Sequence, residues 1–335
     1  MIRIAVLGCG RIGVMHANNI AAHPRAVLAG VYDIYAPAAE AVSAKTGAQV
    51  FGSAEAVFAS KDVDAVLIAT ATDTHADLLE MAVAAGKPVL CEKPIDLSLD
   101  RVNRCATTIA GTKVAIQLGF VRRFDPGHAA VRRAIEAGDI GDLHQVVITS
   151  RDPGMPPPAY TAVSGGILRD MTIHDLDMAR FILGEEVTEV FATGSRLVDP
   201  TLMDKLGDYD TVTVVLKTVS GKQAIINNSR QAVYGYDQRV EALGTKGMAL
   251  SENRRPHEMT LHTADFTERA EPLLNFFIER YREAFDAEIS EFVEAVEAGR
   301  APSVGFEDGR LALVLAEAAL KSIKERRVVS VGEMN

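Results

Sequence analysis

At 335 residues, 48% of them hydrophobic and 24% charged, the chain is long enough for two domains with a core each and too apolar to be disordered. A formal charge of −10, with no dense run of lysine and arginine, excludes an electrostatic footprint for nucleic acid or an anionic membrane. Three cysteines, Cys9, Cys91 and Cys105, without CxxC spacing, exclude a disulfide framework and a thiolate metal site, and make a cytoplasmic protein the default expectation.

The opening MIRIAVLGCG carries Arg3 and reaches glycine after a few apolar residues, so it reads as a buried strand, too short for a secretion signal. No apolar run is long enough to span a bilayer. Strand-like runs IRIAVLG, AVLAGVYD, DAVLIAT, KPVLCEK and KVAIQLG alternate with helical stretches from about residue 12 and near 36–45, 75–85 and 99–110. That rhythm predicts a parallel sheet covered on both faces, a Rossmann domain over residues 1–120. FDPGHAAVRRAIEAG then reads as a helix, with Pro126 near its start and Gly138 after its end.

From Leu143 the period changes to two. HQVVITSR, VTEVFATGSRL, DTVTVVLKT, KQAIINNSRQ and QRVEALGT predict a large, open, mostly antiparallel sheet, with a hairpin turn at Ser220 and Gly221. Helices near 166–183, 277–298 and 307–324 are expected to cover one face. The other, rich in Val and Ile, is expected against a second subunit. The fold class is therefore α/β, a dinucleotide-binding domain followed by an α+β domain for substrate and oligomerisation over residues 121–335. The proline-rich stretch 151–163 can neither continue a strand nor start a helix within itself, and reads as a shaped loop beside the active site.

Gly8, Gly10 and Gly13 form GxGxxG between the first strand and the first helix, where backbone amides and the helix N-terminus can face a pyrophosphate. Arg11 and Ile12 lie between the glycines and are expected to face the cofactor with them. Asp33 ends the second strand twenty positions after Gly13, where a carboxylate accepts from ribose hydroxyls. It would repel a 2′-phosphate, and the following Ile34 and Tyr35 supply no arginine, so NAD is expected rather than NADP.

Lys93, in CEKPI, follows a buried strand at the carboxyl end of the sheet, where its ammonium can donate to a substrate hydroxyl. Asp170 and His174 stand at i and i+4 of an expected helix, so the aspartate can orient the histidine as a general base. Asp170, His174, Asp175 and Asp177 are set aside as a metal site because no HExxH occurs and Asp175 points away from the Asp170 and His174 face. His16 reads as a packed side chain. Tryptophan is absent and aromatics are few, so substrate recognition should rest on hydrogen bonds.

With these residues assembled, the sequence resembles the glucose-fructose oxidoreductase and inositol dehydrogenase family over essentially its whole length. The segments that carry the resemblance are GCGRIGVMHA, IATATDTH, CEKP, QLGFVRRFDPGHAAVRRAIEAGDIG, SGGILRDMTIHDLDMARFILGEE and YGYDQRVEALGTKG. The last three are the more particular to the inositol branch. The resemblance implies NAD-dependent oxidation of a cyclic polyol, myo-inositol first, to its 2-keto product by a homotetramer, with Lys93, Asp170 and His174 catalytic. It implies a polyol pocket containing Arg122, Asp152 and Tyr236, and cofactor contacts from Thr70, Thr72, His75, Glu92 and Gln117 beside Ile34, Lys93 and the glycine loop. Other inositol isomers, an inosose or an aldose are rival substrates. An NAD-dependent glycoside hydrolase and a non-catalytic NAD sensor are rivals of other classes, the last opposed by the joint presence of Lys93, Asp170 and His174.

Overall fold

The computed structural model describes residues 1–334. The chain forms two compact units: Met1–Val121 with Ala284–Leu313, and Arg122–Glu283 with the stretch from Val314 onward. Among the described residues no helix is long and apolar enough to cross a membrane.

The first unit is built on six parallel strands, β1 (Ile2–Leu7), β2 (Ala26–Tyr32), β3 (Gln49–Val50), β4 (Ala65–Ile68), β5 (Val89–Cys91) and β6 (Ile116–Leu118). Their order is β3-β2-β1-β4-β5-β6, the doubly wound arrangement in which the chain reverses direction across the sheet between β1 and β4. Every residue of β4 and β5 is buried, as continuous apolar strands must be when both faces are covered. Helices α1 (Arg11–Ala22), α2 (Ala36–Thr46), α3 (Ala54–Ala59), α4 (His75–Ala84) and α5 (Leu99–Thr108) connect them.

In the second unit α6 (Pro126–Glu136) is capped by the Asp125 carboxylate, which accepts from the Gly127 and His128 amides. The strands are β7 (Leu143–Arg151), β8 (Val187–Ser195), β9 (Thr211–Thr218), β10 (Gln223–Ser229), β11 (Asp237–Gly244), β12 (Gly247–Ser251), a separate ribbon of β13 (Thr260–Leu261) with β14 (Arg269–Ala270), and β15 (Val329–Ser330). The main sheet runs β12-β11-β7-β10-β9-β8-β15 and is antiparallel at every step except β7 to β10, which are parallel. Short helices α7 (Pro158–Thr161) and α9 (Pro200–Leu206), together with α8 (Ile173–Leu183) and α10 (Phe277–Arg280), complete the stretch before residue 282. One sheet face packs Val146, Ile148, Val190, Val214, Ile226 and Val240 against Met178 and Ile182 of α8 and Leu315 and Ala319 of α12 (Phe306–Glu325). On the other face Phe191, Leu243, Met248 and Leu250 are exposed.

Three sequence expectations are corrected. The stretch 277–298 is not one helix on the second sheet: it breaks at Tyr281, and Ile289, Phe292 and Val293 of α11 (Arg282–Ala298) join the first unit's core with Ile4, Ile20 and Leu67. Their i, i+3, i+4 spacing makes one apolar helix face, and periodicity alone does not say which sheet that face meets. The stretch 151–163 does start a helix, because Pro158 stands at its first position, where the missing N–H would have had no partner in any case. The helix expected over 166–183 begins as a π turn, Leu168–Thr172, before α8.

Candidate functional site

Parallel strands bring their carboxyl ends to one edge. In the first unit that edge gathers Gly8 after β1, Asp33 after β2, Thr70 and Thr72 after β4, and Glu92 and Lys93 after β5. Gly8 has φ +95°, and a Cβ there would lie 2.3 Å from the Ala69 carbonyl oxygen, so no larger residue fits. At Gly13 a Cβ would lie 1.8 Å from the Gly8 carbonyl oxygen, so the helix can approach the loop only through glycine. Gly10 is different. Its φ of −71° suits any residue and a Cβ there would meet nothing within 4 Å, so the protein's own packing does not demand glycine at this position. Gly10 also caps α1 without a side chain. A bare helix N-terminus with open space in front of it fits a pyrophosphate.

Asp33 is fixed by accepting from the Cys9 amide at 2.6 Å and the Tyr35 amide at 2.8 Å, one bond per carboxylate oxygen. Each oxygen keeps acceptor capacity for a ribose hydroxyl. Arg11 is exposed, Ile12 is half-buried, and Ile34 is 94% exposed. The Thr70 hydroxyl bonds Thr74, which donates to the Ala71 carbonyl, and Thr72 opens the short turn that follows.

His75 and Gln117, which the resemblance implies as cofactor contacts, are held by hydrogen bonds within the protein. His75 is buried, with Nδ1 2.8 Å from the Pro94 carbonyl and Nε2 3.1 Å from the Thr70 carbonyl, and so braces the loops that carry Thr70 and Lys93. Gln117 is fully buried and donates to the Glu288 carbonyl.

In the second unit the parallel pairing of β7 and β10 sets Arg151 opposite Ser229, so the next residues, Asp152 and Arg230, emerge side by side. The Arg230 side chain is 1% exposed and lies 3.0 Å from Asp170 and 3.7 Å from Asp152. Asp170 also accepts from the Tyr160 hydroxyl at 2.7 Å, which draws α7 into the site. Burial, countered by Arg230 and reinforced by the Asp170 charge, pushes the Asp152 carboxyl up to about 6. His174, half-buried, opens α8. Asp170 lies in the π turn, where a turn takes more residues, so α-helical i, i+4 spacing does not carry over unchanged to this pair.

Arg122 and Tyr236, implied as pocket residues, are buried side chains in contact with each other. Arg122 donates to Asp175 at 2.6 Å and to Ser150 at 3.1 Å, with the Tyr236 hydroxyl at 3.5 Å, and both side chains are buried. Asp175 also accepts from Asn228, and Asp177 pairs with Arg123. These two aspartates thus neutralise the buried Arg122 and the half-buried Arg123. Arg230 and Tyr160 are the residues that sequence reasoning missed. The available signal was an arginine directly after the alternating run QAIINNS, in a strand whose partner is parallel.

Two family models match the chain: an oxidoreductase family with an NAD-binding Rossmann fold over residues 2–120, and the GFO/IDH/MocA C-terminal domain over residues 128–250. The chain belongs to the GFO/IDH/MocA oxidoreductase family. Inositol 2-dehydrogenase of Rhizobium meliloti (strain 1021) is 49% identical over 98% of this chain and 99% of its own. The crystal structure of a myo-inositol dehydrogenase from Corynebacterium glutamicum is 45% identical, with a TM-score of 0.95 over 98% of each chain. Scyllo-inositol dehydrogenase from Lactobacillus casei, solved with NAD(H) and scyllo-inositol, is 30% identical, with a TM-score of 0.90 over 99% of each chain.

As a GFO/IDH/MocA oxidoreductase the chain uses NAD, and Asp33 is expected to set the choice against NADP. The unmodified protein is expected to reduce NAD well and NADP poorly, and Asp33→Ser to narrow that gap. Initial rates with each cofactor check it, and equal rates with the unmodified protein would remove Asp33 from the role.

Proposed function

We propose that this GFO/IDH/MocA oxidoreductase oxidises a secondary hydroxyl of a cyclic polyol, myo-inositol before its isomers, to the ketone. The observation that carries the reading is full-length identity of 49% to an inositol 2-dehydrogenase, against 35% to a scyllo-inositol 2-dehydrogenase of Bacillus subtilis. The Asp152, Arg230 and Asp170 cluster supports it. A polyol offers several hydroxyls, and fixed charges that hydrogen-bond them reject analogues by leaving buried polar groups unpaired.

Bound NAD supplies the acceptor for the hydride leaving the carbinol carbon. His174 takes the hydroxyl proton, Asp170 orients and stabilises the protonated imidazole, and Lys93 donates to the oxygen as negative charge develops on it. Gly8, Gly10 and Gly13 hold the pyrophosphate and Asp33 the ribose, with Arg11, Ile12, Ile34, Thr70, Thr72 and Glu92 completing the cofactor's surroundings. Asp152 binds substrate hydroxyls. NADH formation across inositols, inososes and aldoses tests the proposal. The fastest kcat/KM should fall on myo-inositol, and an aldose or scyllo-inositol in first place would overturn the substrate assignment.

The proposal extends to a cytoplasmic homotetramer. Phe191, Leu243, Met248 and Leu250 are each 41–53% exposed on the unpacked face of the second sheet, and burying that face removes apolar surface from water. Light scattering at micromolar concentration is expected to give four chains. A monomer would refute it.

A further inference from the structure

A cluster in the first unit joins Glu92, already placed beside the cofactor, to two buried residues that neither the cofactor nor the proton path described above uses. His16 of α1, Glu92 after β5 and Glu288 of α11 bring ligand atoms within 4.8 Å of one another. His16 and Glu288 are fully buried. Nε2 of His16 lies 2.7 Å from one Glu92 oxygen, and the Glu92 side chain is 14% exposed. Neither oxygen of Glu288 has a hydrogen-bond partner.

An ionised carboxylate accepts only, and its carboxylate neighbour here, Glu92, also accepts only. Two negative charges at this range in a closed interior cannot both persist, and a buried charge without a donor is among the costliest arrangements a protein can hold. A proton on Glu288 resolves both difficulties: it removes one charge and creates a donor facing the other. We propose that Glu288 is kept as a neutral carboxylic acid that donates to Glu92, so that His16 and Glu288 together fix the Glu92 carboxylate immediately before Lys93. His16 and Glu288 are then positioning residues, acting through Glu92.

The charged and titratable groups facing this cluster agree with that assignment. Burial and the Glu92 charge push the Glu288 carboxyl well above the usual carboxylate range. Burial also opposes charge on Glu92, but the His16 hydrogen bond and the charges of His16, Lys93 and His75 hold it below that range. One acid of the pair is thus driven neutral and the other ionised, the pattern expected when two carboxyl groups share a site. The Gln117 amide fixes the Glu288 backbone at 2.9 Å and holds this turn of α11 in place.

The consequence for turnover rests on the proposed role of Lys93, but the protonation state does not, and the experiment separates the two. Infrared spectra of the full-length protein at neutral pH should contain the carbonyl stretch of a buried, protonated carboxyl group. That band should shift with 13C-labelled glutamate and vanish in Glu288→Gln. Glu288→Gln keeps a donor and should turn over within about twofold of the unmodified enzyme. It should also lose the decline in melting temperature that the unmodified protein shows as pH rises above the ordinary glutamate range, where the unfolded chain releases a proton that folded Glu288 keeps. Glu288→Ala, which removes the donor, should lower kcat more than it changes KM for NAD. Absence of the band, or the same decline of melting temperature with rising pH in Glu288→Gln, would overturn the proposal. So would a stoichiometric divalent cation in the purified protein that Glu288→Gln removes, since the cation would then stand where the proton is placed. A band that behaves as expected beside unaffected turnover in Glu288→Ala would overturn only the link to Lys93.

Discussion

His174→Ala is expected to lower turnover with myo-inositol by about a hundredfold or more, the usual scale of general-base catalysis, with NAD affinity nearly unchanged. The separation follows from the fold: His174 opens α8 in the second unit, whereas the glycine loop and Asp33 belong to the first. Asp170→Asn should also slow turnover, for two reasons. The amide cannot stabilise a protonated imidazole, and it loses the ion pair with Arg230. Lys93→Ala should reduce kcat and weaken polyol binding together, because its contact exists with the hydroxyl and strengthens as the alkoxide forms. Steady-state kinetics with NADH absorbance and titration of bound NADH fluorescence measure the two quantities. Near-normal turnover of His174→Ala at neutral pH would transfer the base to another group and end this mechanism.

The dinucleotide half was legible in the sequence because its signals are local. A short apolar strand, glycines at fixed spacing and an acid at the next strand's end all lie within the first 33 residues, and each one's role follows from backbone geometry. Gly13 against the Gly8 carbonyl is such a case, since it depends on a contact five residues away. The substrate half was less legible because its contacts are remote. Arg230 meets Asp170 across 60 residues, and only the parallel β7 and β10 pair places it there; alternation along a strand is the same for parallel and antiparallel neighbours. Arg122 was no easier to read, since its partner Asp175 lies 53 residues away. The same holds for His75 and Gln117, whose polar atoms meet the carbonyls of Pro94, Thr70 and Glu288.

Arg230→Met keeps the volume near Asp152 and Asp170 while removing the cation between them, and it should be the most destabilising substitution in the substrate half. Removing one partner of a buried ion pair costs about 3–5 kcal/mol, because the remaining carboxylates keep their burial and lose their compensation. The pH dependence gives this loss a distinctive form. Asp152 sits at about 6 in the folded chain against an ordinary 3.8, so between those values the folded state holds a proton that the unfolded state releases. Its contribution to stability therefore falls as pH rises through that window and stays lost above it. Taking away Arg230, which pulls the Asp152 carboxyl down, leaves burial and the Asp170 charge to push it higher, so the decline should extend toward neutral pH. Asp152→Asn should abolish the decline. The double variant Arg230→Met with Asp152→Asn should be more stable than Arg230→Met alone above pH 6, since one of the two stranded carboxylates is gone. Melting temperatures from pH 4.5 to 8 read all three effects, over a range set by the about 6 of Asp152. If Arg230→Met matched the unmodified protein in both melting temperature and pH profile, the guanidinium would not be the group that holds these carboxylates together.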